Sequence, residues 1–394
     1  MKWVRLALVP LCLIIIGVVK ILRPWVLIRF GEIYGPRIGH LAANMECYFC
    51  EKDEFTPKSI DFFSLRERVC NEQLFKMIKR RIHFDPTNLV SLIITVFLRF
   101  RGWKDHLIET TQQDRDVHNF FEKYPPKLTF TEKELRQGKE GLAKMGIPNG
   151  AKWVCLIVRD SAYLRKHSGT DCYSYHNYRD SEIATYRKAV IALANRGYYG
   201  LRMGESVSEE LAVDHPKVID YATNGMRTDF MDIYLGAHCE FCISTATGFD
   251  AIPVIFRRPV CFVNQVPVEY LSTWLPKSVS IYKHHYFEGK RMTPREIFLS
   301  SAGLALASNV FEMMGVTLEN NTEQEIYDLV MEMASIVEGR AVYSRDDELA
   351  QRRFWAEFPH TIHFLNAKPL HGKVRMRIGT KFLRQYQPQL AAVA

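Results

Sequence analysis

Apolar runs of strand length recur along the chain, separated by stretches with helical spacing. "AKWVCLIVRD" begins one such run near Lys152, "YYGLRMG" a second that ends at Arg202 and Gly204, and "KVIDYA" a third. "EFCIST" and "PVCFVN" follow. Several are near-continuously apolar, as in parallel strands covered on both faces. Between them, "SEIATYRKAVIALANRG" puts Ile183, Tyr186, Val190 and Leu193 on one helix face and stops at Gly197, and "DFMDIYLGAHC" also has helix spacing. Strands alternating with helices predict right-handed crossovers and a doubly wound parallel sheet. "KHHYFEGKRMT", residues 283–293, has no clear period and reads as a loop. "PREIFLSSAGLALA" and "NTEQEIYDLVMEMASIVEG" read as helices that complete this unit, and "IGTKFLRQYQPQL" as a terminal helix.

The first half repeats the theme. "WVLIRFGEI" (25–33) is a strand rich in β-branched residues. "YGPRIGHLAANMECYFCE" after it is a Gly/Pro loop leading into an apolar helix. "NLVSLIITVFLRF" (88–100) is a helix of the acceptor side or a second membrane-facing patch. A boundary falls at 124–150. "YPPKL" is a stiff turn, Thr131 and Glu134 form a capping box, Leu135, Leu142 and Met145 share a helix face, and Gly146 and Pro148 end the helix. The expected division is a membrane anchor at 1–23, a Rossmann-like acceptor-side domain at 24–127 and a linker with its helix at 128–150. A second Rossmann-like domain at 151–375 and a tail helix at 376–394 complete it.

"ALVPLCLIIIGVV" (7–19) is uncharged, flanked by Lys2, Arg5, Lys20 and Arg23. It is shorter than the ~20 residues that span a bilayer comfortably. It reads as a retained anchor, either a short span or a segment lying in the interface, with a cleaved signal peptide as the alternative. Nine cysteines, an odd count spread through core runs, place the body in a reducing compartment, on the cytoplasmic face of the inner membrane. The pairs Cys47/Cys50 and Cys239/Cys242 sit in apolar elements and read as buried small side chains rather than zinc ligands.

The 394 residues carry a net charge of +8, which fits an anionic substrate or membrane surface. No nucleic-acid-binding signature is present, and no G-x-x-x-x-G-K-[ST], G-x-S-x-G or H-E-x-x-H motif. In open α/β sheets ligands sit outside the carboxyl ends of strands, and the polar residues cluster there. Arg159, Arg202 and Gly204, with the strap Ser244, Thr245, Thr247 and Gly248 before a helix, suit a diphosphate. The alternative for the arginines is structural pairing with Asp160 and Glu205, and for the strap ordinary capping. Arg37 and Gly39, with His176, Asn177, Arg179 and Asp180 of "HNYRDSEI", are expected to line the cleft. His40 is the candidate catalytic base, with a local cap as the alternative. "DRD" at 114–116 looks like a metal-chelating D-x-D but lies in a polar run, so no metal is expected.

The segments "RIGHLAANMECYFCE", "HNYRDSEIATYRKAV", "GYYGLRMG", "DIYLGAHCEFCISTATGFDAIP", "GKRMTPREIF" and "IGTKFLRQYQPQL" occur in an order that resembles a bacterial glycosyltransferase family encoded with surface-polysaccharide genes. The resemblance covers most of the chain after the anchor. It implies a GT-B architecture of two Rossmann-like domains, with the sugar nucleotide bound mainly by the second. It implies transfer of a sugar from that donor to a lipid-linked or oligosaccharide acceptor, without metal or other cofactor. A non-catalytic polysaccharide-assembly protein, or a pyruvyl or phosphoryl transferase, is the alternative.

Overall fold

The computed structural model describes residues 2–100, 103–109, 114–160, 175, 177–359 and 369–386, with side chains from residue 8. Helix α1 (Lys2–Leu22) leads into the first sheet. Its elements are β1 (Ile28–Ile33), α2 (Ile38–Phe55), β2 (Ile60–Leu65), α3 (Glu72–Lys79), β3 (His83–Asp85), α4 (Leu89–Phe97) and β4 (Leu107–Ile108). The strand order is β3-β2-β1-β4, all parallel. Gly31 of β1 is required by packing, since a Cβ there would lie 2.5 Å from the Phe63 ring.

The second sheet is built from β5 (Trp153–Ile157), β6 (Tyr199–Arg202), β7 (Val218–Ile219), β8 (Phe241–Ser244), β9 (Val260–Gln265) and β10 (Val279–Tyr282). Three short strands follow, β11 (His284–Phe287), β12 (Lys290–Arg291) and β13 (Val316–Glu319), and then β14 (Arg377–Ile378). The large sheet runs β14-β10-β9-β8-β5-β6-β7, all parallel. Counted from its own first strand, six of its seven strands follow the 3-2-1-4-5-6 order of dinucleotide-binding sheets. The first sheet repeats the 3-2-1-4 half of that order.

Both doubly wound units expected from the sequence are present, joined by the helix Glu132–Lys144. Its Thr131/Glu134 capping box forms as the spacing predicted. Three expectations need correction. Residues 283–293 are not a loop: β11 pairs antiparallel with β12 and β13 in a small separate sheet. The segment after residue 375 first adds β14 to the large sheet and only then forms the helix Thr380–Arg384. The first helix is not supported as a membrane span, and one of its faces is packed on the body. Cys12, Ile16 and Val19 are buried against Phe30 and the α4 residues Val90, Ile93, Val96 and Phe97. Among the described residues no helix is long and apolar enough to cross a membrane.

The two units are packed together. Leu41, Met45, Tyr48 and Phe49 of α2 share a core with Ile233, Ile252 and Ile255 from the second unit. Inside this apolar layer, buried Glu46 pairs with Arg257 at 2.6 Å, and the backbone N–H of Lys127 donates to the same carboxylate at 3.0 Å. A buried charge needs such partners, because losing one leaves the other desolvated and unpaired. The four cysteines of the two C-x-x-C pairs are buried in the main core. Burial pushes the Cys47 and Cys242 thiols up, as packing residues in an apolar setting require.

Candidate functional site

In a doubly wound sheet a crevice opens where the strand order reverses, because the flanking loops turn opposite ways. In the large sheet that point lies between β5 and β8. The β5 end carries Arg159 and Asp160, and the β8 end carries Ser244 and Thr245. In the first sheet the corresponding strands are β1 and β4, followed by His40 and Asp114. The two crevices open on one cavity of about 490 Å³, lined by residues of both units.

The strap after β8 is held from behind. Thr245 is buried, and its Oγ1 accepts from the Arg159 N–H at 2.8 Å. Ser244 Oγ donates to Asp250 at 2.8 Å. Ala246 adopts a left-handed conformation at φ 55°, which turns the chain so that Ala246, Thr247 and Gly248 face the cavity. Ser244 and Thr245 therefore brace the strap rather than line the cavity. The helix expected after Gly248 is a single 3-10 turn followed by the five-residue helix Ala251–Ile255. So short a helix offers little of the dipole that the sequence reading invoked.

Two guanidinium groups reach the cavity beside this strap. Arg159 lies 3.4 Å from Asp180, and Arg179 donates to the Ala246 carbonyl. Burial, together with the neighbouring charge of Arg179, pulls the Arg159 guanidinium down to about 10. Among the described residues neither Nε atom, both buried, has a hydrogen-bond partner. Among the described residues the pair is under-neutralised, and an anion between the two groups would restore the balance. Asp250, below the strap, is pushed up to about 7 by burial, although Ser244, Arg179 and the Thr247 N–H act against it.

Arg202 departs from the sequence reading. It is 1% exposed, outside the cavity lining, and turned to Asp220 at 3.4 Å. Asp220 also accepts from the Leu211 N–H at 2.8 Å, so Arg202 belongs to a structural network. Gly204, two residues on, does line the cavity, at φ 150°. Asn177 is exposed and Asp180 holds Arg159, but neither lines the cavity. His176 lies outside the described residues.

On the facing side, Arg37, Gly39 and His40 all line the cavity at the start of α2. His40 Nδ1 lies 3.8 Å from Asp114, has no hydrogen-bond partner among the described residues, and its ring meets Tyr34 edge-on. The "DRD" run separates its carboxylates. Asp114 faces His40, whereas buried Asp116 accepts from the N–H groups of Phe120 and Phe121 at 2.7 Å each. Arg115 donates to the carbonyls of Leu370 and Leu271 at 2.6 Å each, with Trp274 and Tyr270 against its face. Among the described residues no group of three or more His, Cys, Asp or Glu is placed to hold a metal.

Several lining residues had no local signal. Arg227, 2.7 Å from Asp232, sits at the β6 side, and Gln265, Tyr270 and Trp274 form the wall beyond β9. Asp114 stood out in the sequence only through its D-x-D spacing, not as a neighbour of His40.

No protein-family model matches the chain, and no curated protein matches it. Solved structures do show similarity. A glycosyl transferase family 9 protein from Veillonella parvula DSM 2008 is 10% identical, over 59% of this chain and 79% of its own, at a TM-score of 0.37. The E. coli heptosyltransferase WaaC with ADP is 10% identical, over 70% of this chain and 99% of its own, at 0.34. E. coli ADP-heptose lps heptosyltransferase II is 10% identical, over 61% and 86%, at 0.33. These superpositions are too partial to carry residues or substrates across, so the chemistry must come from this cleft.

Proposed function

We propose that the chain is a glycosyltransferase of GT-B architecture. It moves a sugar from a nucleoside-diphosphate sugar to a lipid-linked or oligosaccharide acceptor of surface polysaccharide, without a resident metal. The observation that carries this reading is the under-neutralised pair Arg159 and Arg179 beside the strap 246–248, facing His40 and Asp114 across one cavity.

In this reading the donor diphosphate lies against the strap and both guanidinium groups. As the bond between the sugar C1 and the phosphate oxygen breaks, negative charge grows on the leaving diphosphate. Preorganised cationic donors in a dry cleft stabilise that charge without rearranging. The acceptor hydroxyl enters from the His40 side. It forms the new bond to C1 and gives its proton to His40, whose imidazolium is stabilised by Asp114. The proton then passes to solvent and the nucleoside diphosphate leaves as the anion.

The test is release of nucleoside diphosphate from a panel of sugar nucleotides with polyprenyl-linked acceptors. His40→Ala should lower turnover by roughly 10²- to 10⁴-fold with donor binding retained. Excess EDTA should leave the rate unchanged. Tight nucleotide binding with no turnover on any acceptor would point instead to a non-catalytic assembly protein.

A further inference from the structure

Helix α1 is apolar on two opposite faces, and only one of them is covered. Cys12, Ile16 and Val19 are buried on α4 and β1. The residues at 11, 14, 18, 21 and 25 follow the three-four spacing of one helix face and continue it into the turn that follows. All five are open to solvent: Leu11 43%, Ile14 64%, Val18 48%, Ile21 69% and Trp25 78%. The row is about 20 Å long at 1.5 Å per residue. Leu98 and Phe100, just past the end of α4, are also exposed, and Lys20 ties this region to α1 by placing its ammonium 5.5 Å from the Phe100 ring. A continuous exposed apolar strip of this kind marks an interaction surface.

The charges beside the strip say what kind. At its carboxyl end Lys20, Arg23, Arg99 and Lys104 are exposed, with Asp105 as the acid that pairs with Arg23 at 3.6 Å. Basic side chains with aliphatic stems, next to exposed Trp and Phe, match the boundary between anionic headgroups and acyl chains.

We propose that α1 is a monotopic docking helix. It lies flat on an anionic lipid surface, with Leu11, Ile14, Val18, Ile21 and Trp25 sunk to the acyl boundary and its other face remaining on the protein body. This goes beyond the catalytic reading and does not depend on it. Helices held in this way penetrate only about 5–10 Å.

The experiment is flotation of the full chain with two kinds of vesicle. One is phosphatidylcholine alone, and the other has about a quarter of its lipid as phosphatidylglycerol, at low and high salt. The chain should float with the anionic vesicles, and less so at high salt. Ile14→Glu and Ile21→Glu should each weaken partition by about tenfold or more, with unchanged melting temperature. Retained binding in these variants, or no binding by the parent chain, overturns the proposal. So does a parent dimer that these substitutions convert to monomer, which would make the strip a contact between two copies.

Discussion

Gly39 and Gly248 meet backbone to backbone across the boundary between the two units. A Cβ on Gly39 would stand 3.0 Å from the Gly248 Cα, and a Cβ on Gly248 would stand 3.3 Å from the Gly39 nitrogen. The two loops that line opposite sides of the cavity are therefore in direct contact. Their glycines are needed for the approach of the units to each other, and the ligand is a secondary reason at most.

Gly39→Ala should accordingly be the more damaging of the two alanine substitutions. The obstacle is main chain and cannot swing away, so a cost of about 1–3 kcal/mol is expected. Donor affinity should fall with it, because the cavity walls are displaced. Thermal melts and calorimetric titration of a sugar nucleotide would check both effects. Wild-type behaviour in both variants would show that the units part more easily than this contact implies.

Arg159 and Arg202, equivalent as strand-end arginines, should separate cleanly. Arg159→Ala removes a cavity cation and should weaken sugar-nucleotide binding by about 10- to 100-fold, for a charge-assisted contact of roughly 1.5–3 kcal/mol. Arg202→Ala leaves Asp220 without its buried partner and should cost about 3 kcal/mol of stability, with little change in affinity at a temperature where the protein is folded. Paired melting curves and titrations decide this. The reverse pattern would return Arg202 to the binding site.

Donor binding should weaken as pH rises through neutrality. The Asp250 carboxyl is held up to about 7, so it is mostly neutral at pH 6 and mostly charged at pH 8. A carboxylate beneath the strap repels a diphosphate, whereas the neutral acid does not. A sugar nucleotide is the right probe, since its diphosphate diester does not itself titrate in this range. Affinity should drop several-fold from pH 6 to 8 in the parent chain. In Asp250→Asn it should be flat and near the pH 6 value, and a parallel slope in that variant would assign the titration to another group.

Acid should loosen the connection between α3 and the linker helix. Burial raises the Glu134 carboxyl, but Gln73, the Thr131 N–H and Arg80 outweigh it and hold the group at about 2. Its pKa is lower folded than unfolded. The stabilisation is therefore complete above the usual Glu range near 4.5 and is lost as pH falls from there toward 2. Glu134→Gln should melt lower at pH 7, with the gap closing toward pH 3. An equal gap at both pH values would mean that the carboxylate charge contributes nothing.

Much of this architecture was legible along the chain because it depends on local period and local chemistry. Near-continuous apolar runs such as "WVCLI" produce strands covered on both faces, and helical spacing from Ile183 to Leu193 produces a crossover. Thr131 and Glu134 cap a helix whatever surrounds them. Of the polar residues gathered at strand ends, Arg37, His40, Arg159 and Thr247 line the cavity, because parallel strands end on one edge.

What the chain order left open was where each side chain turns and what lies opposite it. Arg159 and Arg202 both follow apolar strand runs, yet one faces the cavity and the other faces Asp220. The Gly39–Gly248 contact and the Glu46–Arg257 pair join residues more than two hundred positions apart, so no local pattern could announce them. The same holds for α1, whose uniform apolarity gave no hint that half of it would be covered by α4. Periodicity determines which residues can share a face. Only the packing of distant elements decides which face is buried, which buried charge finds its partner, and which cation is left facing the cleft.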